Sequence, residues 1–226
     1  MIHWPHFRFR SILLWLFLAL VGCWLLAALT LVALRWIDPP TTALQTERRI
    51  QSFFHDGDYQ KRYRFVPLSQ ISANFPHAVV SAEDARFYKH HGFDWTAIQL
   101  AAQEDIEGGR IRGGSTLTQQ LVKNLFFGTN RSLVRKAAEA SLVPVAEFVL
   151  GKRRILELYV NVVEWGPGIY GADAASHAYF KSAPKSLSRL QAAQLASMLP
   201  APLTRRPGHT PHYTSVILRR MAQVGW

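Results

Sequence analysis

Residues 11–34 carry no charged side chain over 24 positions, and this run constrains the chain more than any other stretch. A helix rises about 1.5 Å per residue, so such a run covers the roughly 30 Å hydrocarbon core of a bilayer. Trp4, Trp15 and Trp36 stand where interfacial aromatic belts form. A cleavable signal peptide would have an apolar stretch of only about 7–15 residues and a small-x-small site. The sequence before Arg35 has no clear site of that kind. The run therefore predicts an uncleaved single-pass anchor. Flanking charge does not orient it, since Arg8 and Arg10 precede it and Arg35, Arg48 and Arg49 follow.

The anchor leaves room within 226 residues for one domain with its own core. All acidic residues, and all but three of the 26 basic ones, lie beyond residue 35, and the chain carries a net +11. That excess fits an anionic partner: phospholipid, nucleic acid or a phosphorylated substrate. Cys23, the single cysteine, sits inside the apolar run, so no intrachain disulfide forms. Residues 1–10 read as a tail, 35–66 as a linker with some helix, and 67–226 as one mainly helical domain. Glycines punctuate that domain. Gly108-Gly109 and Gly113-Gly114 bracket a basic loop, Arg110-Ile111-Arg112, and the stretch from Gly166 to Gly171 is a glycine-rich turn.

Four polar segments stand out. On a helix starting near Pro76, Glu83, Phe87 and His90 fall at i, i+4 and i+7, with Asp84 beside them. An aromatic ring and an imidazole near Glu83 would raise its proton affinity, whereas a solvated Glu-Asp pair before a core Phe would do no chemistry. In the second segment Thr116 and Gln119 match a capping box, with Ser115 a further cap. Capping leaves Gln120 and Lys123 unexplained, at i+4 and i+7 from Thr116 on the same stripe. The third segment opens at Ser132 and carries Arg135 and Glu139 at i and i+4, an exposed pair worth only about 0.3–0.5 kcal/mol. Facing Lys123, it would bring three basic groups, Lys123, Arg135 and Lys136, and a second carboxylate around an anionic ligand. In the fourth, Glu157 and Asn161 at i and i+4 suit backbone-bonding scaffold, and Ile155, Leu156 and Tyr159 suit packing.

In this order the segments resemble the peptidoglycan glycosyltransferases of family 51. The patterns are Glu83-Asp84-x-x-Phe87-x-x-His90-x-Gly92, Gly114-Ser115-Thr116-x-Thr118-Gln119-Gln120-x-x-Lys123-Asn124, Arg135-Lys136-x-x-Glu139, and Ile155-Leu156-Glu157-x-Tyr159-x-Asn161. The likeness covers about residues 67–202. It implies a lysozyme-like, mainly helical domain with a membrane-associated lobe between the second and third motifs, where Leu125-Phe126-Phe127 and residues 142–150 would lie. It also implies polymerisation of lipid II into β-1,4 glycan with inversion and release of polyprenyl pyrophosphate. By resemblance Glu83 is the base and Glu139 the second carboxylate, while Lys123 and Arg135 clamp the pyrophosphate. Thr116, Gln120 and Lys136 complete the donor site, and Asp84, Phe87, His90, Ser115, Glu157 and Asn161 support it.

The resemblance requires no cofactor and no protein-bound metal, and leaves room for a divalent cation, Mg or Mn, on the substrate pyrophosphate. Its partners are lipid II, the growing glycan strand and the inner membrane, with cell-wall synthesis or division proteins compatible and nucleic acid not. It places the tail in the cytoplasm and the domain on the periplasmic side. Larger relatives carry a transpeptidase domain; Ser182-x-x-Lys185 and Ser72-x-Asn74 match its motifs only superficially and in the wrong order. The chain thus resembles the monofunctional branch. A lysozyme-type glycan-cleaving enzyme and an anchored, non-catalytic anionic-lipid-binding module are the rival readings.

Overall fold

A computed structural model describes residues 6–54, 59–106, 114–130 and 132–226. The basic loop at Arg110-Ile111-Arg112 and Trp4 lie outside them. The N-terminal helix, α1 (His6–Ala33), is long and apolar enough to cross a membrane over Arg10–Ala33. Trp15 and Leu20 are each 71% exposed, as lipid-facing side chains would be, whereas Leu31 and Leu34 are buried. The change marks where the chain leaving the helix meets the rest of the protein.

Beyond it come α2 (Ala43–Phe53), α3 (Asn74–Glu83), α4 (Trp95–Ile106), α5 (Leu117–Phe126) and α6 (Leu133–Val162). They are followed by α7 (Gly171–Phe180), α8 (Arg189–Ala196) and α9 (Pro211–Gln223). Three short strands, β1 (Arg62–Tyr63), β2 (Glu164–Gly166) and β3 (Ile169–Tyr170), form a small sheet in the order β1-β3-β2. β1 runs parallel to β3, and β2 antiparallel with an irregular register at the glycine turn. The fold is mainly helical, as the sequence predicts.

The core gathers around the second half of α6, where Ile155, Leu158, Tyr159 and Val162 are fully buried with Phe75, Phe87, Leu117 and Trp165. α6 bends at Gly151, whose φ of 68° and ψ of 164° interrupt the helix and divide it into two limbs. That backbone region is open essentially to glycine alone. The first limb carries Arg135, Lys136 and Glu139, and the second Glu157, Tyr159 and Asn161.

Three expectations need revision. No single helix carries Glu83, Phe87 and His90: α3 stops at Glu83, Asp84 takes φ −155° and ψ 71°, and His90 is extended. Asp84's carboxylate is drawn instead to tertiary partners. Residues 35–66 are also more than a linker, because α2 packs on α5 and β1 completes the sheet with β3. The apolar runs expected in a membrane lobe are partly core. Leu125, Leu142, Val143 and Leu150 are buried, and the outward-facing residues are Leu133, Val134 and Phe148.

Candidate active site

Two cavities adjoin at Ser115, which lines both. The larger, about 750 Å³, lies between the end of α3, α4 and α9; its wall includes Glu83, Asp84, Arg86, Thr116, Tyr213 and Arg220. The smaller, about 180 Å³, lies between α5 and the start of α6, lined by Gln119, Gln120, Lys123, Lys136 and Glu139. A bond from Gln120 Nε2 to Glu83 Oε2 (2.8 Å) joins the walls of the two.

Glu83 ends α3, whose final carbonyls have no partner within the helix. α9 supplies partners. Tyr213 donates its hydroxyl to Ala82 O (2.8 Å) and Arg220 its guanidinium to Ser81 O (2.9 Å). The last turn of α3 is thereby held at the cavity. Protein surrounds Glu83 closely although solvent still reaches part of it. Burial pushes its carboxyl up from the ordinary glutamate value; the Gln120 bond and the Lys123 charge pull the other way, and Asp84 adds to the rise. The expected ring-and-imidazole cause is not the one at work.

Gln120 is the middle of a chain of three. Its amide N–H bonds Glu83, and its carbonyl accepts the Tyr159 hydroxyl at 2.7 Å. Each end of the amide makes a bond to protein, so Gln120 orients Glu83 in this structure. Tyr159, read as packing from sequence, is fully buried and sets which end of the amide faces Glu83. Its aromatic character was visible in the sequence, but not the fact that its hydroxyl reaches α5.

Asp84 ties three pieces together. Its Oδ2 accepts the Leu117 N–H (3.0 Å), one of the otherwise unpaired donors at the start of α5. Its carboxylate also takes His90 Nε2 at 2.9 Å, and His90 Nδ1 accepts the Gly92 N–H at 3.2 Å. That pair of bonds defines the neutral tautomer with the proton on Nε2. Phe87 is buried beneath, with Lys152 Nζ 4.4 Å from its ring centre. Asp84, His90 and Asp94 are the group among the described residues whose ligand atoms converge within 4.8 Å. Their bonds account for them without an ion: Asp94 caps α4 through Ala97 N (3.0 Å) and pairs with Arg86.

Thr116 and Gln119 form the full capping box of α5, with bonds of 3.3 and 2.8 Å. The Thr116 hydroxyl also donates to Gly92 O (2.6 Å), so its single proton is not available to a ligand. In this structure Thr116 thus braces the start of α5 while lining the larger cavity, and Ser115 stands on both cavity walls.

At the smaller cavity Glu139 is buried and ion-paired with Arg135. Arg135 stands behind the wall, and its Nε is buried without a hydrogen-bond partner among the described residues. Lys123 and Lys136 complete a cluster of three cations and one carboxylate. Glu157 and Asn161 sit away from both cavities. Asn161 bonds Val66 through N–H and carbonyl (2.9 and 2.8 Å), and Glu157 accepts the Leu68 N–H at 2.9 Å.

Residues 47–224 match the family model described as Transglycosylase, most of the chain, and the protein belongs to that family. Its domain is of the lysozyme-like helical kind. A biosynthetic peptidoglycan transglycosylase of Ectopseudomonas mendocina is 41% identical over 222 residues, covering 96% of this chain and 89% of the relative. Proteins of the same name from Laribacter hongkongensis and Thiobacillus denitrificans are 43% identical over 192 residues and 48% over 170. These cover 83% and 74% of this chain, and 84% and 73% of the relatives.

Proposed function

We propose that this transglycosylase polymerises lipid II into β-1,4 glycan, with Glu83 as general base and the smaller cavity as the seat of the donor's pyrophosphate. The names of the relatives support peptidoglycan as the product. The observation that carries the reading is the junction at Glu83: a proton-accepting carboxylate on one cavity is bonded through Gln120 to the wall of a neighbouring cavity rich in cations.

The acceptor's 4-hydroxyl lies in the larger cavity, where Glu83 takes its proton as the oxygen attacks the donor's anomeric carbon. The bond from that carbon to the phosphate oxygen breaks, with inversion, and polyprenyl pyrophosphate departs with the electron pair. Charge gathering on the departing group is met by Lys123 and Lys136 on the cavity wall, with the Arg135 guanidinium adding its charge from behind. Glu139 orients Arg135 and helps to position the leaving phosphate. A divalent cation on the pyrophosphate would add to the same stabilisation. We place the domain on the periplasmic face of the inner membrane, anchored by α1, because lipid II presents its headgroup there.

The test uses detergent-solubilised full-length protein and labelled lipid II, following polymer and free polyprenyl pyrophosphate together. The reading expects both from the native chain and neither from Glu83→Gln, which still binds lipid II. Glycan cleavage without pyrophosphate release would establish the hydrolase rival instead.

A further inference from the structure

The polar contacts of α2 lead away from the motifs and back to the smaller cavity. Glu47, on this helix, accepts the backbone N–H of Thr129 at 2.6 Å on Oε2. Its Oε1 accepts the Thr129 hydroxyl and, at 3.1 Å, the Gln51 amide. Next to Thr129, Gly128 has a φ of 69°, and a Cβ there would overlap Glu47 Oε2. The glycine meets two demands at once, a left-handed backbone and the close approach of a carboxylate. α2 is held from its other side by Arg48, which bonds the buried Glu164 of β2 at 3.2 Å and Gln51 at 3.1 Å. It is a brace fixed to the sheet and gripping a turn.

That turn joins the two helices that build the smaller cavity. α5 ends at Phe126 with Lys123 in its last turn, and α6 begins after Ser132, which caps it by accepting the Arg135 N–H at 3.1 Å. The spacing of Lys123 from Lys136, Arg135 and Glu139 therefore depends on how the turn is held. We propose that Glu47 is a positioning residue for the reaction: by fixing the turn at Gly128-Thr129 it sets the α5 cation against the α6 cations. The inference rests on the reading of the smaller cavity as the pyrophosphate seat. Nothing in the sequence motifs marks Glu47, because it lies ahead of all of them.

The experiment measures steady-state lipid II polymerisation by the full chain in detergent, with unfolding temperature alongside, for Glu47→Ala, Glu47→Gln, Thr129→Val and Lys123→Ala. A remote misplacement of about 1 Å can cost on the order of 100-fold, so Glu47→Ala is expected to lose about 10- to 100-fold in kcat/KM, mostly as a higher KM. Glu47→Gln keeps one acceptor and recovers part of the loss, and Thr129→Val reproduces a fraction of it from the turn side. A smaller folded fraction would lower kcat and leave KM alone, which separates positioning from simple destabilisation. Native KM in Glu47→Ala, or in Thr129→Val should the former fail to fold, overturns the proposal when Lys123→Ala raises KM. Native KM and kcat in Lys123→Ala overturn the reading of the cavity, and the proposal with it.

Discussion

In the proposed reaction Glu83 is the residue on which the chemistry turns. Removing its basicity as Glu83→Gln is expected to lower polymerisation by about 100- to 10,000-fold, measured as labelled glycan formed per enzyme. Because burial raises its proton affinity, the acidic limb of the kcat/KM profile should lie above the ordinary glutamate range. Gln120→Leu, which removes an interaction that favours the carboxylate, should move that limb higher still. The same shift has a sign for stability. A raised folded value means the native state holds the proton more tightly than the unfolded chain. Stability is then lost as pH rises from the unfolded value through the folded one. Glu83→Gln should accordingly unfold at a higher temperature than the native chain at neutral pH, with the gap narrowing toward about pH 4. Tyr159→Phe keeps the buried ring but leaves the Gln120 carbonyl without its donor, at an expected cost of about 1–3 kcal/mol in denaturant unfolding.

Among the elements, the bend of α6 gives a clean test. Nothing lies within 4 Å of a Cβ placed on Gly151, so Gly151→Ala should cost about 1–3 kcal/mol through backbone strain alone. Asparagine should bring little relief, because a ψ of 164° is not the left-handed helical region that it tolerates. Elements whose cause is local were legible in the sequence: the apolar span, the Thr116–Gln119 box and the start of α6 at Ser132. The end of α3 was not legible. Spacing alone carries a helix past Glu83 to His90, and what stops it is Asp84, whose partner Leu117 is 33 residues away. The packing of α2 was hidden for the same reason, since Glu47 and Arg48 find their partners 82 and 116 residues on. Side-chain roles followed suit. Gln120 and Thr116 showed polarity in the right places, but whether a polar group faces a ligand or a neighbour is settled by packing.

Taken whole, the molecule is an apolar helix tied to a catalytic body by polar side chains, Arg154 and Arg35 among them. Arg154 donates to Leu34 O (2.8 Å) and Ile37 O (3.1 Å) just beyond α1, and pairs with Asp38 and Glu157 at 2.7 Å each. Glu157 in turn accepts the Leu68 N–H, so the same cluster reaches the segment that leads into α3. Trp24 adds a bond from α1 to Ser141 on α6 at 3.0 Å. Arg154→Ala is expected to destabilise the protein by about 1.5–3 kcal/mol, the range for hydrogen bonds to charged groups. Limited proteolysis in detergent should then cut faster between α1 and α2.

The amide between Tyr159 and Glu83 is also an insulator. A primary amide relays no proton under these conditions, so whatever hydrogen Glu83 captures is barred from travelling inward to the phenol. With Glu83 as the proposed base, the way out for that hydrogen is the larger chamber, which the carboxylate lines. On the proposed reading, each round of elongation would include a moment when that mouth stands open to water, and the pace of the polymer would be tied to that exposure.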